Sequence, residues 1–130
     1  MPTVQADPVR DPVHDRGRPF ITACPDQAET VAPGIRRQFL GYGDALMGVR
    51  VWFDKGAVGD VHTHPHTQMS YVESGAFKVR VGSQEQVLGA GDSFYVAPDR
   101  PHGAVCLEAG VLIDVFTPAR EDFLASTGGA

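Results

Sequence analysis

An all-β chain of short strands, closed into a sandwich or barrel, is what this sequence predicts. Three observations carry the reading. Apolar residues alternate with period two in several separate runs, turn signals punctuate those runs, and one short C-terminal stretch alone reads as helix. Alternation of that period puts one set of side chains on each face of a sheet. Short strands at such spacing, separated by Gly-containing turns, belong to all-β architectures.

Residues 1–32 are expected to form an N-terminal arm or edge segment. They carry Pro2, Pro8, Pro12, Pro19 and Pro25, with Pro33 just beyond, and no sustained apolar period. Proline removes a ladder donor and fixes φ, which excludes a central strand. Residues 33–126 are read as the single domain, with strand text from Ile35 onward. Val49, Val51 and Phe53 alternate with Arg50 and Trp52, and Phe77, Val79 and Val81 alternate with Lys78 and Arg80. Phe94 and Val96 flank Tyr95, and Val111, Ile113 and Val115 alternate with Leu112, Asp114 and Phe116. Turns are expected at Asp54-Lys55-Gly56, Glu73-Ser74-Gly75, Gly82-Ser83, Gly89-Ala90-Gly91-Asp92 and Glu108-Ala109-Gly110. The helix is expected from a Thr117 N-cap, with Pro118 in its first position and Glu121 and Asp122 near the positive end of its dipole. It runs to about Ala125, and Gly128 and Gly129 end the chain loosely.

Composition narrows the function. A 130-residue chain with 42% hydrophobic residues is one domain with a core of its own. A net charge of −5 without any Lys/Arg run argues against nucleic acid as a partner. An anionic ligand would need positive charge supplied locally. No apolar run approaches a membrane span, so no membrane partner is expected. The polar, acid-containing stretch Met1–Asp11 does not read as a secretory signal, and a cytoplasmic location is expected. In that setting Cys24 and Cys106 are expected to be reduced thiols.

Three of the five histidines fall in His62-Thr63-His64-Pro65-His66. On an extended segment His62 and His64 share a face, and Gln68 has the same parity if the bend at Pro65 does not reset it. His66 shares that parity too, so spacing leaves it open. Downstream, the Gly89–Asp92 turn leads through a strand to Pro98-Asp99-Arg100-Pro101-His102. A histidine held just after a rigid Pro-rich turn is placed to project inward from a strand end. Imidazole suits Zn, Ni, Fe and Cu. A bland His-rich surface loop explains His62-x-His64 alone, but not its pairing with the second element.

Gly56, His62, His64, Gln68 and Gly75, followed by Gly91, Pro98 and His102, resemble the two motifs of the cupin superfamily. Gln68 departs from the usual glutamate, Cys106 from the usual asparagine, and Pro98 sits one place late. The resemblance implies a double-stranded β-helix, a jelly-roll barrel of two antiparallel sheets that is usually a homodimer. It implies His62, His64, Gln68 and His102 as ligands of one divalent metal ion, with Zn, Ni, Fe or Mn as the candidates, and sets His66 aside. Three neutral imidazoles and a neutral amide leave the full charge on such an ion. That favours Lewis-acid chemistry and anion binding over oxygen activation.

Asp114 interrupts the run Val111–Phe116. A carboxylate there is costly unless it has a partner or faces water. Either it pairs with an arginine such as Arg36, Arg37 or Arg50, or it points into a polar cavity; Leu112 and Phe116 beside it make a solvent face awkward. Met69 and Tyr71 read as core or interface residues, and Trp52 as packing or dimer contact.

The stretches His64–Gln68, Pro101–Ala104 and Asp114–Leu124 are similar to those of the pectin-degradation cupins. Those enzymes linearise 4,5-unsaturated monouronates, small anionic sugar acids from pectin or alginate breakdown, to open-chain keto-deoxyuronates. The resemblance implies that Asp114 is the catalytic acid/base, that Phe116 shapes the substrate pocket, and that Arg120 contacts substrate or supports the site. Plain core packing competes for Phe116, and a solvated helix face or a pairing with Glu121 or Asp122 in a neighbour competes for Arg120. The alternative functions are another non-redox cupin enzyme such as a polyketide cyclase, a small-anion binding module without turnover, and, more remotely, a dioxygenase.

Overall fold

The computed structural model describes residues 15–126. Expectations for Pro2, Pro8, Pro12, the Met1–Asp11 stretch, Gly128 and Gly129 lie outside those residues. After a single 3-10 turn at Pro25–Gln27 come eight strands: β1 (Glu29–Ala32), β2 (Ile35–Tyr42), β3 (Met47–Phe53), β4 (Val58–His62), β5 (Thr67–Val81), β6 (Gln84–Gly89), β7 (Ser93–Val96) and β8 (His102–Thr117). A short helix, α1 (Glu121–Ser126), follows. The strands pair antiparallel in the order β1-β2-β3-β8-β5-β6, with β4 added to β8 and β7 to β5. The expected all-β architecture is what forms.

The two long strands organise it. β5 and β8 pair with each other from Thr67↔Thr117 to Val81↔His102. Each changes its other partner part-way. β5 pairs with β7 over residues 68–71 and with β6 over residues 76–81. β8 pairs with β4 through His102, Ala104 and Val105, and with β3 through residues 110–116. One continuous ribbon thus runs through the single eight-stranded sheet, and it bends where its outer partners change. The register shifts between Val72 and Phe77 mark that corner.

Two expected turns turn out to be this corner. Glu73-Ser74-Gly75 and Glu108-Ala109-Gly110 lie inside β5 and β8, not between strands. The glycines are there because the backbones nearly touch. A Cβ on Gly75 (φ +81°) would lie 2.6 Å from the Ala109 carbonyl oxygen, and a Cβ on Gly110 would overlap the Ser74 carbonyl oxygen. The Gly56, Gly82 and Gly91 signals do sit in turns between strands.

The alternating residues bury as expected: Val49, Val51, Phe53, Phe77 and Val79 face the core, with Phe53 and Phe77 edge-to-face at 5.2 Å. In the Val111–Phe116 run of β8 the buried residues are Leu112 and Phe116, which puts Asp114 on the inner side. Met69 and Tyr71 are not core residues. They point outward and are 40% and 43% exposed, because the inner face of β5 belongs to Gln68, Ser70 and Val72.

The helix starts later than expected. Thr117 pairs with Thr67 as the last residue of the ladder and is not an N-cap. Pro118 follows through a cis peptide bond, and helical residues begin at Glu121. Ladder pairing has overridden the local cap signal. Arg16 ties this end down by bonding Asp44 and both carboxylate oxygens of Glu121 at 2.7–2.8 Å.

Adding a methyl group at the corner should cost far more than adding one elsewhere on the same sheet. Gly110→Ala is expected to lose about 3 kcal/mol or more, a fall in Tm of roughly 10 °C. Gly89→Ala, with nothing within 4 Å of its Cβ, should stay within about 0.5 kcal/mol of the parent in the same thermal melts.

Candidate metal centre

The four predicted ligands come from different pieces of backbone. His62 ends β4, His64 lies in the connection to β5, Gln68 is the second residue of β5, and His102 opens β8. β4 stops at His62 and the chain bends at Pro65 and His66, so parity along one strand does not run on from the two histidines to Gln68. Tertiary pairing does the work instead. His62 and His102 are directly opposed across β4 and β8. The Asp99 N–H donates to the His64 carbonyl (2.8 Å), anchoring that connection to the turn before His102.

The side chains converge. One ring nitrogen from each of His62, His64 and His102 lies within 4.8 Å of the other two. His64, Gln68 and His102 are buried, while His62 is exposed at the rim. Each histidine donates Nδ1–H to a main-chain carbonyl two residues away: His62 to Asp60 (2.7 Å), His64 to His66 (3.0 Å) and His102 to Arg100 (2.9 Å). A carbonyl only accepts, so these bonds assign the proton to Nδ1 and leave Nε2 as a lone pair. Burial pushes His64 below the ordinary imidazole range and His102 down to about 4, so both rings are neutral near pH 7.

The result is a cluster of acceptors facing one another. The Nε2 atoms of His64 and His102 are 3.1 Å apart, and Gln68 Oε1 is 2.9 and 3.1 Å from them. With neutral rings there is no proton to share between these atoms. Lone pairs crowded this closely in a buried place call for a cation, and nitrogen and oxygen donors of this kind suit a divalent one. Main-chain carbonyls holding Nδ1–H are the usual outer partners of metal-ligating histidines.

A polar chain leads from this cluster to the acid in β8. Gln68 Nε2 donates to Ser70 Oγ (2.8 Å), and Ser70 Oγ donates to Asp114 Oδ1 (2.6 Å). Ser70 and Asp114 are opposite one another across β5 and β8. Asp114 thus points inward to Ser70 and the polar chain that leads to the cluster, and the arginine pairing weighed for it does not form. Arg37 bonds Glu29 (2.7 Å), Arg50 reaches Glu73 (3.5 Å), and Arg36 stacks over Trp52. Desolvation raises the Asp114 carboxyl to about 6, against the pull of the Ser70 bond and the positive charge of Arg120. Sequence reasoning passed over Ser70, although its position two residues after Gln68 on a strand puts it on the same face.

Phe116 and Arg120 complete the wall. The Phe116 ring is buried in the core and meets His64 edge-on at 5.7 Å. Arg120 is buried, precedes the helix, and stacks over Phe116 (5.0 Å) and Phe123 (4.0 Å). Its Nε and Nη2 grip Asp122 of the same chain at 2.9 and 2.7 Å, which depresses that carboxyl. The solvated-face reading of Arg120 fails, and the Asp122 pairing forms within the chain. His66 lies beside His64, with ring centroids 5.6 Å apart, outside the convergent trio. Cys106 is buried, its thiol pushed up by desolvation, and Cys24 is half-buried; both are free.

A family model of the cupin domain matches residues 49–116. The chain belongs to the cupin family. It is 43% identical over 98 residues to the pectin degradation protein KdgF of Dickeya dadantii, a match that spans 74% of this cupin and 89% of that protein. Among solved structures it resembles an RmlC-like cupin from Shewanella frigidimarina, with 50% identity, a TM-score of 0.78, and 84% and 98% of the two chains covered. KdgF from a Halomonas species matches with 42% identity and a TM-score of 0.72, over 74% of this cupin and 89% of that chain.

His102 should make the metal-free protein acid-sensitive. Its folded pKa lies below the 6.5 of the unfolded chain, so unfolding takes up a proton between pH 6.5 and about 4, and stability falls with pH across that window. Asp114, raised from 3.8 to about 6, acts in the opposite sense, and its contribution is lost as pH rises. Comparing chelator-treated wild type with His102→Gln cancels the Asp114 effect. Between pH 7 and pH 4.5, wild type is expected to lose roughly 2–3 kcal/mol more than the variant in urea denaturation. A pH-independent gap between the two would contradict the buried, neutral His102.

Proposed function

We propose that this cupin linearises 4,5-unsaturated monouronates with the help of one divalent ion held by His62, His64, Gln68 and His102. The observation that carries the reading is the placement of Asp114: a desolvated carboxyl raised to about 6, on the wall of the histidine cluster and within the field of Arg120. Its support from relatives is the 43% identity to a pectin degradation protein over most of both chains.

The substrate class has a carboxylate beside an enol ether and a free anomeric hydroxyl. Opening the ring takes a proton from that hydroxyl, forms the C1 carbonyl and breaks the bond from C1 to the ring oxygen. Delivering a proton to C4 then turns the resulting enolate into the C5 ketone. One proton leaves, one arrives, and nothing is oxidised. A carboxyl whose pKa is near neutrality can take the first and give the second. Asp114 has that character, and Ser70 holds its Oδ1 from behind. Arg120 uses Nε and Nη2 on Asp122, which leaves its Nη1 side for the substrate carboxylate. Phe116 forms an apolar floor beneath His64 and Arg120, against which a sugar ring can rest. When bound, a divalent ion would supply Lewis-acid stabilisation of negative charge on the substrate oxygens.

The test is loss of alkene absorbance from 4,5-unsaturated galacturonate or mannuronate, measured with metal-loaded protein beside the uncatalysed rate. Wild type is expected to accelerate the loss, and Asp114→Asn, assayed at saturating metal, to lower kcat by on the order of 10² or more. No acceleration with zinc, nickel, iron or manganese would remove the uronate reading and turn attention to polyketide substrates or to anion binding without turnover. Full activity in Asp114→Asn would keep the reaction but move the proton transfer to another group.

A further inference from the structure

Ser70 has no exposed surface and stands between two groups with different polar demands. Asp114, as a carboxylate, can only accept, so the Ser70 hydroxyl proton is committed to Oδ1 at 2.6 Å. On its other side Ser70 Oγ then offers lone pairs alone. The neighbour there is the Gln68 amide, whose two ends are chemically opposite. Its NH2 end satisfies Oγ at 2.8 Å, which turns Oε1 toward His64 and His102. We propose that Ser70 is a positioning residue. It passes the polarity of the Asp114 carboxylate to the Gln68 amide and so holds Oε1 ready as a metal ligand.

The alternative orientation shows why such a device is needed. A reversed amide would aim NH2 at the unprotonated Nε2 atoms of His64 and His102, where donor meets acceptor. In the metal-free protein that pairing is locally better than the acceptor cluster the fold holds. It also presents no lone pair to a cation. An amide at this position can therefore disable the site by rotating about one torsion, whereas a carboxylate cannot, because both of its ends are oxygen. Ser70 answers a problem that glutamine creates. The inference rests on the metal reading above.

The experiment titrates the chelator-treated full chain with Co²⁺, reading the ligand-field absorption and the Kd, and records Tm without metal. Ser70→Ala is expected to weaken Co²⁺ binding ten- to a hundred-fold, the usual cost of removing an outer partner. Ser70→Thr, which keeps the hydroxyl, should stay within about threefold of wild type. In a Gln68→Glu background Ser70→Ala should cost less than about threefold, since no amide is left to orient. Equal losses in the two backgrounds, or an unchanged Kd in Ser70→Ala, would overturn the positioning role. Should the alanine protein not fold, Ser70→Cys carries the same two-background comparison with a weaker donor. A wild type that binds no Co²⁺ would instead overturn the metal reading itself, which the first titration alone reveals.

Discussion

The full-length pairing of β5 with β8 is the constraint on which the rest depends. It brings Gln68 opposite Phe116 and Ser70 opposite Asp114, and it carries His102 to the far end of the same ladder. Because each strand changes its second partner at the corner, one ribbon ties the two halves of the sheet together. The corner exists only because Gly75 and Gly110 let two backbones approach more closely than a side chain allows. A shift of register by one residue would turn either Gln68 and Ser70 on β5 or Asp114 on β8 from the interior to the outer face.

Within that frame the site is built from polar groups whose roles are assigned by their neighbours. Three main-chain carbonyls take the Nδ1 protons and leave Nε2 atoms crowded together. A carboxylate takes the Ser70 proton, and the serine in turn takes an amide proton from Gln68. The acceptor cluster is uncomfortable by itself, and burial makes it more so by keeping His102 neutral down to about pH 4. A structure that pays for this arrangement elsewhere, through a well-packed aromatic and aliphatic core, keeps it for function. Asp114 and Arg120 stand beside the cluster, and the proposed function gives them the parts of proton carrier and anion site.

The legible part of the sequence was the part that depends on local period and on local chemistry. Val49, Val51, Phe53, Phe77 and Val79 face the core as their alternation requires. The histidine constellation was legible as a set, though for a reason that proved incomplete: parity along one strand does not reach from His62 to Gln68, because the chain bends at Pro65 and His66. Two glycine-containing signals were read as turns and are bends inside long strands, since a glycine marks close approach as readily as it marks a reversal. The Thr117 cap signal lost to a ladder partner, Thr67, that lies 50 residues away in the chain.

By itself the sequence determined the all-β class, the inward residues of the central strands, and the short list of groups able to hold a metal, since these follow from side-chain period and ligand chemistry. It also narrowed Asp114 to two surroundings. The tertiary structure alone decided between them, and it alone linked Asp114 through Ser70 to Gln68, turned Arg120 inward onto Phe116 and Phe123, and made one corner of two apparent turns. The reason is physical: a strand reveals which residues share its own face, but which strand lies opposite, and in what register, is set by closure of the whole barrel.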